Sequence, residues 1–142
     1  MKILKAKDAN SIRFLNLKIQ EYIGKEEIKE YDKKSFIKWL RMMISSPLLG
    51  VWVCVEENEE PETEEKVSGY IIVMIQQSLN SEHVNIIQLF GDTEEIENEL
   101  LSHATNWTKN NGITEIKTIT LHPKKWKDIG FEVKEHLVTK EV

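Results

Sequence analysis

Asp92, Glu94, Glu95, Glu97 and Glu99 crowd five carboxylates into the stretch that reads as the opening of a helix. A helix start presents unpaired N–H groups and the positive end of the dipole, which makes it a natural seat for a phosphate. Filled with carboxylates, the same turn works against such a ligand. At an effective dielectric near 20, each like-charge contact at about 4 Å costs about 4 kcal/mol before screening. Micromolar binding is worth only about 8 kcal/mol. The acidic residues also stabilise the helix itself, by about 0.3–1 kcal/mol each near its first turn. On either account this helix start satisfies itself rather than an anion.

Other reactive groups are sparse. Cys54 is the sole cysteine, set in the apolar run Val51-Trp52-Val53-Cys54-Val55, so it reads as a buried, inert thiol and excludes an intrachain disulfide. His83, His103, His122 and His136 show no close pairing and no metal-ligand spacing. His103 borders the apolar face of its helix, and partial burial is expected there. Ser68-Gly69 lies inside a strand pattern without the glycine that a nucleophile elbow needs. Trp39, Trp52, Trp107 and Trp126 are spread over separate elements and read as core anchors, not as a platform for stacked bases.

Composition narrows the class. At 142 residues, 40% apolar and 30% charged, the chain is expected to form one domain, residues 1–142, with an ordinary core. Net charge is −5, and only Arg13 and Arg41 are arginine, which argues against nucleic-acid recognition. No run approaches the ~20 apolar residues needed to cross a bilayer, and Met1–Lys5 lacks the apolar core of a signal peptide. A cytoplasmic location is therefore expected. Lys124, Lys125, Lys127, Lys134 and Lys140 alternate with acidic residues and read as a solvated mixed surface.

The elements that position these residues follow from periodicity. Ile3 and Leu4 begin a short strand. Asp8 caps a helix carrying Ile12, Leu15, Ile19 and Tyr22, which Gly24 ends. A second helix, capped near Asp32, sets Phe36, Leu40 and Met43 on one face with Trp39 and Ile44 beside it, and Pro47 and Gly50 break it. A strand from about Val51 to Glu56 leads to a connection holding Pro61 and six glutamates, the profile of a solvated hairpin loop. Strands at Val67–Ile75 and His83–Phe90 follow. The next helix runs from about Thr93 to Asn110, capped by Asp92 with Glu95 completing a capping box. Ile96, Leu100, Ala104 and Trp107 form its apolar stripe, and Gly112 stops it. A strand from Ile113 to Leu121 then pairs in parallel through a right-handed crossover.

Val67-Ser68-Gly69-Tyr70 in the third strand, the Ile129-Gly130-Phe131 turn and the element order over nearly the whole chain resemble the GNAT-type N-acyltransferases. The resemblance implies an α/β (α+β) fold: a mixed, mostly antiparallel sheet with one parallel pair and helices on both faces. It also implies acetyl-CoA as cofactor, with contacts at Leu89, Gly91 and Thr93 if CoA binds. The family opens the helix after its fourth strand with Arg/Gln-x-x-Gly-x-Gly/Ala. Aligned through Leu100-Leu101, the first position falls on Asp92 and the glycine positions on Glu95 and Glu97. Where many members carry a tyrosine that protonates the departing thiolate, this chain has Trp126, whose indole is no practical acid. His122 is the nearest replacement as a catalytic proton donor.

Three readings follow. In the first, the chain is a degenerate, non-catalytic GNAT-like domain without cofactor, serving as a binding or assembly module with a protein partner or a second copy of itself. In the second it is an active acetyl-CoA-dependent N-acetyltransferase with an atypical phosphate loop. The third is an unrelated small α/β protein, which forecasts no splay between the strands ending at Phe90 and Leu121. None of the three requires nucleic acid, a membrane or a metal.

Overall fold

The computed structural model describes residues 2–7, 33–56, 66–118, 123–132 and 140. Among these residues, five strands form one sheet in the order β1 (Lys2–Lys5), β2 (Leu49–Glu56), β3 (Lys66–Gln77), β4 (Glu82–Gly91) and β5 (Ile116–Thr118). The first three neighbouring pairs are antiparallel, and β4 pairs with β5 in parallel. The described helices are α1 (Lys33–Met43), α2 (Glu94–Asn110) and α3 (Pro123–Asp128).

Period-two alternation divides the sheet's side chains between two cores. On one face Val51, Val53 and Val55 pack with Phe36 and Leu40 of α1. On the other, Trp52 and Cys54 pack with Ile96, Leu100 and Ala104 of α2 and Trp126 of α3. Helices thus cover both faces, as expected. Each fully buried Leu or Ile contributes about 1.5–3 kcal/mol relative to exposure.

Two bulges adjust this alternation. In β3 the register passes from Cys54↔Gly69 to Val55↔Val67, which leaves Ser68 as the extra residue. In β4 it passes from Ile72↔Gln88 to Val73↔Ile86, which leaves Ile87 unpaired. Val84, Ile86 and Leu89 consequently all reach the α2 side, although their numbering changes parity between Ile86 and Leu89.

Both described helix ends in the second half of the chain use the same device. Gly112 adopts φ 73°, with Gly112 N donating to Lys109 O and Ile113 N to Thr108 O. Gly130 adopts φ 99°, with Gly130 N donating to Lys127 O and Phe131 N to Trp126 O. These are Schellman endings, in which glycine supplies the left-handed residue that other side chains resist.

Several expectations are adjusted. Thr93, not Asp92, is the N-cap of α2, and the capping-box position falls on Ile96 rather than on an acid. Thr108, not Trp107, completes the buried stripe with Ile96, Leu100 and Ala104, and Trp107 is half-buried. His103 is exposed. The strand expected from Ile113 begins at Ile116, because Ile113 serves the helix ending. The helix expected at Asp8–Gly24, the glutamate-rich connection over 57–65, His122, His136 and the strand after Phe131 lie outside the described residues.

Candidate functional site

The end of β4 and the start of α2 meet in a tight turn built on two glycines. A Cβ on Gly91 would lie 2.7 Å from Glu97 Cγ and 3.0 Å from both Glu97 N and Thr93 O. A Cβ on Gly69, across the register from Gly91, would lie 2.7 Å from Phe90 O and 2.8 Å from Ile96 Cγ2. The first turn of α2 therefore rests directly on sheet backbone.

Three amides of this turn are spent within the chain. Thr93 Oγ1 accepts from Ile96 N at 3.2 Å, and Thr93 O accepts from Glu97 N at 3.2 Å. Asp92 N donates to Ser68 O at 2.9 Å, so the bulged residue of β3 takes up the last amide before the cap. Of the five carboxylates expected to crowd this start, Asp92, Glu94, Glu95 and Glu99 are exposed. Glu97 alone turns inward, its side chain only 16% exposed.

Lys125 of α3 meets it. Its Nζ lies 2.9 Å from Glu97 Oε2 and 3.2 Å from Oε1, a forked contact across 28 residues of sequence. Sequence reasoning placed Lys125 on a solvated mixed surface and missed this pairing, because no local spacing signals it. Trp126, one residue on, is buried on the α2 face of the sheet. Its ring meets Phe131 edge-on, with centroids 5.1 Å apart at 79°.

The residues expected to contact a cofactor come together. Leu89 is buried on the α2 side opposite Ile71, Gly91 ends β4, and Thr93 caps the helix that follows. The described pairing of β4 with β5 runs from Val84↔Ile116 to Ile86↔Thr118. From Ile87 to Gly91, β4 has no strand partner on that edge among the described residues.

One polar group on β4 was not anticipated. Gln88 is 1% exposed, faces Ile72 and receives the Tyr70 hydroxyl on Oε1 at 2.8 Å. Its Nε2 has no hydrogen-bond partner. Such an unspent buried donor costs about 1–3 kcal/mol. A glutamine within Ile86-Ile87-Gln88-Leu89-Phe90 gives no sign of this in sequence, since the bulge at Ile87 decides which face of the sheet it joins.

No family model matches the chain, and no curated protein matches it in sequence. Solved structures do match. A predicted acetyltransferase from Clostridium acetobutylicum, determined with acetyl-CoA, superposes with a TM-score of 0.77 at 17% identity, covering 99% of this chain and 95% of that one. An aminoglycoside N-acetyltransferase in complex with CoA gives 0.73 at 12% identity, covering 99% and 93%. An aminoglycoside acetyltransferase from an uncultured soil metagenomic sample, in complex with trehalose, gives 0.67 at 17% identity, covering 99% and 94%. With the five-stranded mixed sheet, its parallel β4–β5 pair and helices on both faces, these matches establish that the chain has the fold of the GNAT acyl-CoA N-acyltransferases.

Proposed function

We propose that this chain is a non-catalytic GNAT-fold domain acting as a binding or assembly module. The observation that carries the reading is the Glu97–Lys125 contact, which occupies the inner side of the first turn of α2 with an ion pair. A phosphate approaching that turn finds its inner side filled by this pair and meets the exposed Glu94 and Glu95. Two of the turn's amides, Ile96 N and Glu97 N, already donate to Thr93. Trp126, which stands at the tyrosine position in the family comparison, packs against Phe131 and offers no acid.

The test is a thermal melt with added acetyl-CoA. A cofactor at one hundred times its dissociation constant stabilises by about 2.7 kcal/mol, several degrees in a domain of this size. The expected result is no shift at millimolar acetyl-CoA. A saturable rise would overturn the proposal.

The competing reading is an acetyl-CoA-dependent N-acetyltransferase that grips its cofactor by main-chain groups. The structural relatives determined with CoA or acetyl-CoA favour it. In that case Leu89, Gly91 and Thr93 line the cofactor, with His122 as proton donor. The same melt decides between the two.

A further inference from the structure

Between Lys33 and Val55 the chain carries four basic residues and no acidic one, although 24 of its 142 residues are Asp or Glu and its net charge is −5. Buried β2 has no place for an acid, but α1 has a solvent face. Lys34, Lys38 and Arg41 recur there at i, i+4 and i+7, all exposed, while Phe36 and Leu40 hold the opposite face in the core. Met42, one turn on from Lys38, is 72% exposed. Neither Lys38 nor Arg41 has an ion-pair partner among the described residues. Arg41 in the last turn serves the helix dipole. That role does not extend to Lys38 in the middle of the helix or to Met42.

The complement lies on the other layer of the same molecule. Glu95 and Glu99 of α2 are exposed one helical turn apart, the spacing of Lys34 and Lys38, and also have no ion-pair partner among the described residues. Helix laid against helix would therefore bring opposite charges into register. Within one chain the two patches cannot meet, because α1 covers one face of the sheet and α2 the other. Two copies can. An anionic membrane suits α1 less well, since the apolar side chains that would insert are held in the core.

We propose that the outer face of α1 docks on the acidic start of α2 in a second copy of this chain. The contact is heterologous: each copy offers α1 to one neighbour and α2 to another, which builds chains or closed rings. The proposal rests on the reading of the chain as an assembly module and names its partner.

The test is sedimentation velocity of the full chain over a range of concentrations. Exposed charge pairs are individually weak and screened by salt. Association at low ionic strength is expected, at least tenfold weaker at about 1 M salt. Lys38→Glu with Arg41→Glu is expected to weaken it at least tenfold, and so is Glu95→Lys with Glu99→Lys. An equal mixture of the two variants should associate again, since each supplies the sign the other lacks. Lys124→Glu with Lys127→Glu, the same change of charge on exposed residues of α3, should leave association as in the native chain. A native monomer at low salt, an equal loss in the α3 variant, or no recovery in the mixture would overturn the docking. So would capture of a monomeric native chain by phosphatidylserine vesicles that the α1 variant loses. Should the α2 variant fail to fold, the α1 variant and the α3 control decide. A melt shift with acetyl-CoA would overturn the non-catalytic reading without changing the sedimentation result, whereas a monomer blind to acetyl-CoA overturns the docking alone.

Discussion

Lys125 and Glu97 join the last described helix to the first turn of α2 through a forked ion pair of 2.9 and 3.2 Å. The lysine comes from a six-residue helix that Trp126 fixes to the sheet, so the ammonium is delivered by packing. Its carboxylate partner is held over Gly91 by the absence of a Cβ there. The pair is thus assembled by the buried anchors of its two helices, Trp126 and Ile96, while its own charge remains partly in water.

That partial exposure limits its worth. Lys125 is 39% exposed in its side chain, and pairs of this kind contribute about 0–1 kcal/mol. In a double-mutant cycle with Lys125→Met and Glu97→Gln, the coupling energy is expected to be below about 1 kcal/mol at moderate salt and smaller still at 1 M salt. Chemical denaturation of the four proteins measures it. A coupling of several kcal/mol would show that the pair is a main fastener of α3.

If charge excludes the cofactor, removing charge should admit it. Glu95→Gly with Glu97→Gly, in a background of Glu94→Gln, is expected to give calorimetrically detectable CoA binding where the native chain gives none. Each glycine costs the helix about 0.8–1 kcal/mol, so the comparison is made well below the variant's melting temperature. Failure of the folded variant to bind would point to a cause other than repulsion.

The two glycines of the tight turn should not tolerate a methyl group. Gly69→Ala sets a Cβ against the main-chain oxygen of Phe90, which cannot step aside, and a loss of about 1–3 kcal/mol is expected. Gly91→Ala meets the flexible Glu97 Cγ first, and then main-chain atoms at 3.0 Å. It is expected to destabilise less than Gly69→Ala, and urea unfolding of both ranks them.

Gly112 and Gly130 test a different cost. An added Cβ meets nothing within 4 Å at either, so only backbone strain opposes alanine, about 1–2 kcal/mol. Asparagine, which tolerates the left-handed region better, is expected to recover part of that loss. Equal melting temperatures for the alanine variants and the native chain would contradict this account.

Thr93→Ala should remove the side-chain acceptor for Ile96 N and cost about 1 kcal/mol, while Thr93→Asp retains a capping oxygen and should cost little. Melting temperatures of the two variants check the assignment of the cap to Thr93 rather than to its neighbour.

Elements governed by local chemistry were legible from sequence. The apolar run Val51–Val55, the stripe Ile96–Leu100–Ala104 and the stop at Gly112 all appear in place. The Trp126-to-Phe131 spacing was legible as well, and the structure supplies its reason: the two residues occupy the flanking positions of a Schellman ending, where an apolar contact is usual. That spacing reports how a helix stops and carries little information about acyl transfer. Assigning the cap to Asp92 failed because Thr93, one position on, is also a good capping residue. Long-range facts stayed hidden. Nothing near Lys125 announces Glu97, and nothing near Gln88 announces the Tyr70 hydroxyl, because each contact is created by sheet register and helix docking.

The irregularity at Ile87 has a consequence for how the strand can vary. Upstream of it even-numbered residues point toward α2, and downstream of it odd-numbered ones do. Deleting this single residue would leave the chain's apolar content almost unchanged, yet it would exchange the destinations of Gln88, Leu89 and Phe90. A carboxamide would then enter the greasy layer beneath Ile96. The length of β4 past this point is therefore as constrained as its composition.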